Sequence, residues 1–424
     1  MHNTGRVSNQ WITTRTGYDA DSRSRRRRGR PRLPALGDRV GRRRVFLAGI
    51  ALFVLASAAC ALATEPWQLI AARAVQGAGG AAVMPLSLTL LAAAVPERLR
   101  SAAIGIWGGI AGLGVAVGPV VGGGVVEGLN WQWIFWLNVP IGLAALPFAA
   151  RVLTESRGAA RRLDPLGPAL SGGGVLAVVW GVVHGADDGW SSGPVLTALI
   201  GGGVLLAAFV AWEARVADPM LPLRMFAVRG LSVSYAVSFA FSAGVFGAIF
   251  LLAQYFQVVQ GYSPLAAGVR TLPWTLAPMV VAPLAGLVVD RVGPRALIAT
   301  GQFFLAISLG WMALTADTDT AYLSFVAPFV LGGIGMGLTF APSSTIVMAS
   351  AAPEDQGMAS GVNSTVREVG VALGIAVLAS VFAGRGSYSD PQSYVDGLVP
   401  AVWVGAGVVA LAAITALFLP RRTR

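Results

Sequence analysis

The sequence predicts an all-α, polytopic membrane protein: a helical bundle with twelve spans. Three observations predict it. Only 12% of the 424 residues are charged and 55% are hydrophobic, where a soluble globular chain carries about 25% charged residues. Twelve apolar stretches reach the length of about 20 residues that a helix needs to cross a bilayer. The arginines between those stretches alternate in a way that only a membrane topology explains. Together with a mean hydropathy of +0.67, this excludes a soluble enzyme, a disordered chain and a solely extracellular domain.

The spans, a to l, are expected at 45–63, 67–95, 102–126, 131–150, 166–184, 194–214, 231–257, 266–289, 295–315, 321–350, 357–383 and 398–419. Barrel strands would instead be alternating segments of about 10 residues. The internal prolines Pro85, Pro119, Pro140, Pro278 and Pro342 are tolerated because neighbouring helices can satisfy freed backbone groups. With residue 44 in the cytoplasm, the inner loops hold Arg98, Arg100, Arg151, Arg157, Arg161, Arg162, Arg215, Arg224, Arg229, Arg291 and Arg295, and the tail holds Arg421, Arg422 and Arg424. The outer loops hold only Arg270 and Arg385, beside the acids Asp187 and Asp317. Both termini are therefore expected inside.

All 31 basic residues are arginine, and 13 of them fall in residues 1–44, so the net charge of +11 mostly describes the N-terminus. Residues 1–34 contain no long apolar run. Their Arg25–Arg28 cluster reads either as a patch for acidic lipid or nucleic acid or as a disordered segment foreign to the bundle. The second reading is preferred, and no nucleic-acid partner is expected. His2, His184 and the single Cys60 cannot build a metal or nucleophile site, so no metal, cofactor or enzymatic activity is expected. A chain without lysine has no phosphate-binding Gly-Lys loop, which excludes ATP-driven transport by this chain.

The tetrapeptide Asp38-Arg39-Val40-Gly41 recurs as Asp290-Arg291-Val292-Gly293, each copy in an inner loop ahead of a span. Two-halved membrane proteins of this kind are typically transporters that rock one half against the other. An aspartate there can cap a helix or pair with arginine in one state only, which makes Asp38, Arg39, Gly41, Arg42, Arg43, Asp290, Arg291, Gly293 and Arg295 a candidate gate. Plain positive-inside anchoring is the alternative.

These residues, from Leu36 through Arg44, resemble the loop signature of the major facilitator superfamily. Arg73-x-x-Gln76-Gly77-x-Gly79 is similar to its next motif, and Gly114-x-x-x-Gly118-Pro119-x-x-Gly122-Gly123 to the motif of its antiporters. The run from Trp131 to Gly142, Asp164-x-x-Gly167, Pro219-Met220-Leu221-Pro222-Leu223 and Gly261-Tyr262-Ser263-Pro264 resemble the 14-span drug:proton antiporter branch. Eight spans between the two loop copies fit that branch, with two extra helices between the halves. The layout is then residues 35–150 as an incomplete first half lacking its first two helices, 151–229 as an inserted pair, and 230–424 as a six-helix bundle: twelve spans of an apparent fourteen.

The resemblance implies a secondary transporter in the cell membrane, exporting an amphipathic drug-like or antibiotic compound in exchange for protons, with membrane lipid as its surroundings. The alternative is a non-transporting, truncated remnant. It also implies a coupling role for Arg73, Gln76 and Gly77. Arg73 is otherwise read as a helix-end arginine snorkelling outward. Gly114, Gly118 and Gly122 share one helix face and allow close helix approach, with Pro119 favouring a kink. Gln254, Tyr255, Asn363 and Arg367 are candidate cavity-lining groups, or else helix–helix hydrogen bonders. Arg367 and Glu368 also read as an inner helix end, and no Asp or Glu is expected at mid-membrane.

Overall fold

The computed structural model describes residues 41–155, 164–186, 188–216, 219, 221–352 and 355–420. Residues 1–34, Asp38, Arg39 and Asp187 lie outside them. The helices are α1 (Arg42–Ala61), α2 (Pro66–Ala94), α3 (Glu97–Gly128), α4 (Trp133–Trp136), α5 (Asn138–Val152), α6 (Leu166–Gly185) and α7 (Gly193–Glu213). After a short 3₁₀ turn come α8 (Arg229–Val258), α9 (Pro264–Arg270), α10 (Leu272–Val292), α11 (Pro294–Thr315), α12 (Leu323–Ser350), α13 (Gln356–Ala383) and α14 (Pro391–Ala416).

Eleven of these segments are long and apolar enough to cross a membrane, counting α4–α5 and α9–α10 as one each. The twelfth expected span lies within α3, of 32 residues. Spans d and h are each broken once, at Leu137 and Thr271. In both, a proline follows within the next few residues (Pro140, Pro273), and proline has no amide hydrogen to continue the preceding helix. Span l starts earlier than expected. α14 begins at Pro391, where the Asp390 carboxylate accepts from the Ser393 amide at 2.9 Å. That bond, with the Ser389 hydroxyl, holds the Asp390 carboxyl below its ordinary range. Gln392 and Ser393 make this first turn too polar to register as apolar.

α8 packs on α13 and α14, α11 on α12 and α14, and α10 on α12, which closes a six-helix body. Its core is aromatic: Tyr255, Phe256, Phe325 and Phe329 interlock at ring separations of 5.4–6.2 Å. Lipid is as apolar as these side chains, so close backbone approach matters more than burial for holding helices together. A Cβ on Gly244 would stand 2.7 Å from the Gly405 carbonyl oxygen, and one on Gly301 2.6 Å from that of Gly335. α1, α2 and α5 form a smaller group, and α6 pairs with α7 while also touching α13.

α3 departs from the expected first-half grouping. Its main partners are α9 and α10 of the six-helix body. The sequence makes this contact tight: a Cβ on Gly123 would meet the Pro264 backbone, and one on Gly268 the Pro119 backbone. The Glu127 carboxylate also accepts from the Leu265 amide at 3.1 Å. By contrast, a Cβ on Gly114, Gly118 or Gly122 would meet nothing within 4 Å. The expected close-approach stripe is thus corrected to Gly123, with Pro119 opposite Gly268. Within the described residues, the other three glycines face open space.

Gly123→Leu should therefore overpack the α3–α9 contact, at a cost of about 1–3 kcal/mol, and lower the melting temperature of the detergent-purified protein. Gly118→Ala should leave it unchanged; equal effects of the two would contradict this packing.

Candidate functional site

The closing glycines of the two repeat copies take the same backbone conformation. Gly41 has φ 111° and ψ 130°, and Gly293 has φ 89° and ψ 141°. Each immediately precedes a helix, α1 or α11, in a region of positive φ that L side chains rarely adopt. Eight crossings separate them, so both links sit at one end of the bundle. At Gly41 a second constraint applies, because an added Cβ would collide with the carboxyl group of Glu155. Glu155 caps α1: its Oε1 accepts from the Arg43 amide at 3.0 Å, and its Oε2 lies 3.9 Å from Arg44 Nε. Arg43 also donates to the Ala150 carbonyl at the end of α5. The loop after α5 is thereby tied to the start of α1.

Glu155 was not singled out in the sequence. Its signal was present, as the acid that follows span d on the side carrying the repeat. Elsewhere on that end, Arg224 pairs with Asp355 at 3.0 Å, joining the 3₁₀ turn to the start of α13. Arg291 is exposed and Arg295 half-buried.

Arg73, Gln76 and Ser57 form one chain of hydrogen bonds between α2 and α1. Arg73 Nη1 donates to Gln76 Oε1 at 2.6 Å, and Gln76 Nε2 donates to Ser57 Oγ at 2.6 Å. Gln76 and Ser57 are fully buried, whereas Arg73 is exposed, with its guanidinium 5.8 Å from the Phe135 ring centre. Gly77 points into open space, and it is Gly79 that brings α2 against α1, its Cβ position 2.9 Å from the Gly49 carbonyl oxygen.

Two of the expected cavity-lining groups are instead buried in the second half. Tyr255 is 0% exposed and donates to the Asp317 carbonyl at 2.5 Å, which fastens the loop between α11 and α12. Asn363 is 7% exposed and faces the bundle interior. Lining and helix–helix bonding are both open for them in the sequence, because a polar residue on an apolar helix gives no direction by itself. Gln254 accepts from Tyr388 at 3.0 Å, again a loop contact. Arg367 lies half-buried, its guanidinium 4.7 Å from the Phe340 ring centre.

The expectation of an inner helix end at Arg367 and Glu368 is overturned. α13 runs for 28 residues from Gln356 to Ala383, which places both residues beside its midpoint. At a rise of 1.5 Å per residue, Glu368 is about 18 Å from the helix start. The expected absence of a mid-membrane carboxylate is corrected with it.

The sequence matches the Major Facilitator Superfamily model over residues 31–375 and 271–424. It is 34% identical over 370 residues to the tetracenomycin C resistance and export protein of Streptomyces glaucescens, covering 87% of this chain and 68% of that protein. It is 37% identical over 350 residues to the multidrug resistance protein Stp of Mycobacterium tuberculosis, covering 82% of this chain and 65% of that one. The cephamycin export protein CmcT of Amycolatopsis lactamdurans is 37% identical over 397 residues, covering 92% and 81%. The chain thus spans about two thirds of the length of the first two of these relatives. Among solved structures, a POT family transporter in complex with 5-aminolevulinic acid superposes with a TM-score of 0.64 at 15% identity, over 89% of this chain and 82% of that one. The human organic anion transporter MFSD10 gives 0.58 at 18%, over 90% and 78%. At these identities the structures establish a shared fold.

Gln76→Leu should strand the Ser57 hydroxyl and one Arg73 donor. Leaving buried polar groups unpaired costs about 1–3 kcal/mol, readable as a lowered melting temperature. Gly77→Ala should have no such effect, and an unchanged Gln76→Leu protein would contradict a structural role for this network.

Proposed function

Because the chain belongs to the Major Facilitator Superfamily, and so to a family of multi-pass membrane transporters rather than enzymes, we propose that it exports amphipathic drug-like or antibiotic compounds across the cell membrane. The observation that carries this reading is its 34–37% identity to proteins named for antibiotic resistance and export. We take the coupling ion to be the proton. A chain without lysine has no phosphate-binding Gly-Lys loop for nucleotide-driven transport, which leaves an ion gradient.

The proposed plan is that of the 14-span branch. Eight crossings between the repeat copies support it, with α6 and α7 as the inserted pair. Gly41, Arg42, Arg43, Asp290, Arg291, Gly293 and Arg295 would form the gate, together with Asp38 and Arg39. Glu155 joins them on geometry, since it holds the first link. Arg73 and Gln76 belong to the coupling pathway in this reading, and α3, with Pro119 and Gly123, is the helix through which the two halves meet. The arginine asymmetry supports a cytoplasmic location for the Gly41 and Gly293 end and for both termini.

Two outcomes test the proposal. In an efflux-deficient host, expression should lower the accumulation of amphipathic antibiotics, and Asp290→Asn should abolish most of that effect at equal membrane levels. Unchanged accumulation on wild-type expression would remove the exporter reading. In a Cys60→Ala background, a membrane-impermeant maleimide applied to intact cells should label a cysteine at Asp188 but not one at Asp355. The reverse pattern would invert the orientation.

A further inference from the structure

α13 has two faces of opposite character. Asn363, Gly370 and Gly374 lie on the buried one, and Gly370 and Gly374 meet α8 so closely that added Cβ atoms would strike the backbone at Phe239 and Ala243. Turning about 100° per residue, Gly361, Ser364, Thr365 and Glu368 gather on the other face, and all four are exposed. Thr365 satisfies its hydroxyl on the Gly361 carbonyl at 3.1 Å. Glu368 has no hydrogen bond and no cation within ion-pair distance among the described residues. It is the one acid near the middle of a described span.

An exposed carboxylate at that depth has two environments open to it. Hydrocarbon is ruled out energetically, since a charged side chain at a bilayer centre costs several kcal/mol and intramembrane acids face water-filled cavities or partners. Two hydroxyl residues on the same face agree with an aqueous one. The adjacent Arg367 does not neutralise the carboxylate by contact, because its guanidinium is turned onto Phe340 of α12 at 4.7 Å. The helices around α13 bring no other charge to this depth. α12 carries no ionisable residue. Arg229 and the buried phenols Tyr235 and Tyr255 of α8, Tyr394 and Asp396 of α14, and His184 of α6 are all neutral or placed toward helix ends.

We infer that Glu368 is the residue that binds the positively charged group of cationic amphipathic substrates within the transport cavity. Resting on the exporter reading above, this narrows the substrate class to compounds that pair an ammonium or phosphonium centre with apolar rings. The carboxylate supplies the single fixed negative charge, and Phe340 of the neighbouring α12, beside the adjacent Arg367, offers an aromatic surface. Ser364 and Thr365 keep that wall wet enough for the ion to enter.

The test is equilibrium binding of tetraphenylphosphonium to the purified full chain, with chloramphenicol as a neutral probe. Pairing to a charged group implies that Glu368→Gln weakens tetraphenylphosphonium binding by about tenfold or more. Chloramphenicol binding and the gel-filtration profile should not change, and Glu368→Asp should retain most of the cation affinity. Wild-type affinity for the cation in Glu368→Gln would overturn the inference. So would a wild-type protein that binds chloramphenicol and not the cation, with the exporter reading left standing. A wild-type protein that binds neither probe would remove both.

Discussion

The structure depends on one constraint, the absence of water from the bilayer core. An unpaired amide or carbonyl there costs several kcal/mol, so each crossing segment must satisfy its own backbone as a helix. With hydrogen bonds used up inside helices and no hydrophobic drive between them, the helices are held by how closely their backbones approach. This is why glycine sits where helices cross. Gly244 lies against Gly405, Gly301 against Gly335, and Gly374 against Ala243. The same logic accounts for the Arg73–Gln76–Ser57 chain, in which the buried Gln76 and Ser57 satisfy each other.

The helix that crosses between the halves is bound by that same kind of contact. α3 meets α9 and α10 through Gly123, Pro119 and Gly268, with Glu127 at its C-terminal end accepting from the Leu265 amide. Glycine leaves little side chain between the backbones here, and in the proposed mechanism this is the contact on which one half tilts against the other. The links at Gly41 and Gly293 are the complementary element. Gly293 turns the chain in one residue between α10 and α11, and Gly41 stands at the start of α1, where Glu155 fixes it by its bonds to Arg43 and Arg44. In the proposed exporter, the six-helix body, α3 and these two links would be the parts whose two arrangements ligands bias by differential affinity.

Much of this was legible from the residues. Span positions follow from hydropathy because the bilayer allows little else, and the expected starts of a to k lie within a few residues of the observed helices. The late start for span l shows the limit: Asp390-Pro391 is a helix-start signature that an apolar count ignores. The repeat is visible as four letters, and its two glycines take matching positive-φ conformations. Direction was less legible. Tyr255 and Asn363 were polar positions on apolar helices, but which face each took depends on neighbours far away in sequence, such as Asp317 for Tyr255. The glycine stripe on α3 failed for the same reason, since spacing names a face and not its partner. For Glu368 the polar run from Asn363 leaves a helix end open as an alternative, although span k at 357–383 already encloses it, and the observed length of α13 removes that alternative.

The central claim is that the two halves exchange between two arrangements about these links. The most direct measurement is the distance between spin labels at Ala48 on α1 and Ala296 on α11, in a Cys60→Ala protein reconstituted in lipid. Pulsed electron resonance should give two distance populations whose ratio shifts when an amphipathic substrate is added. A single narrow distance, unchanged by substrate, would contradict the account.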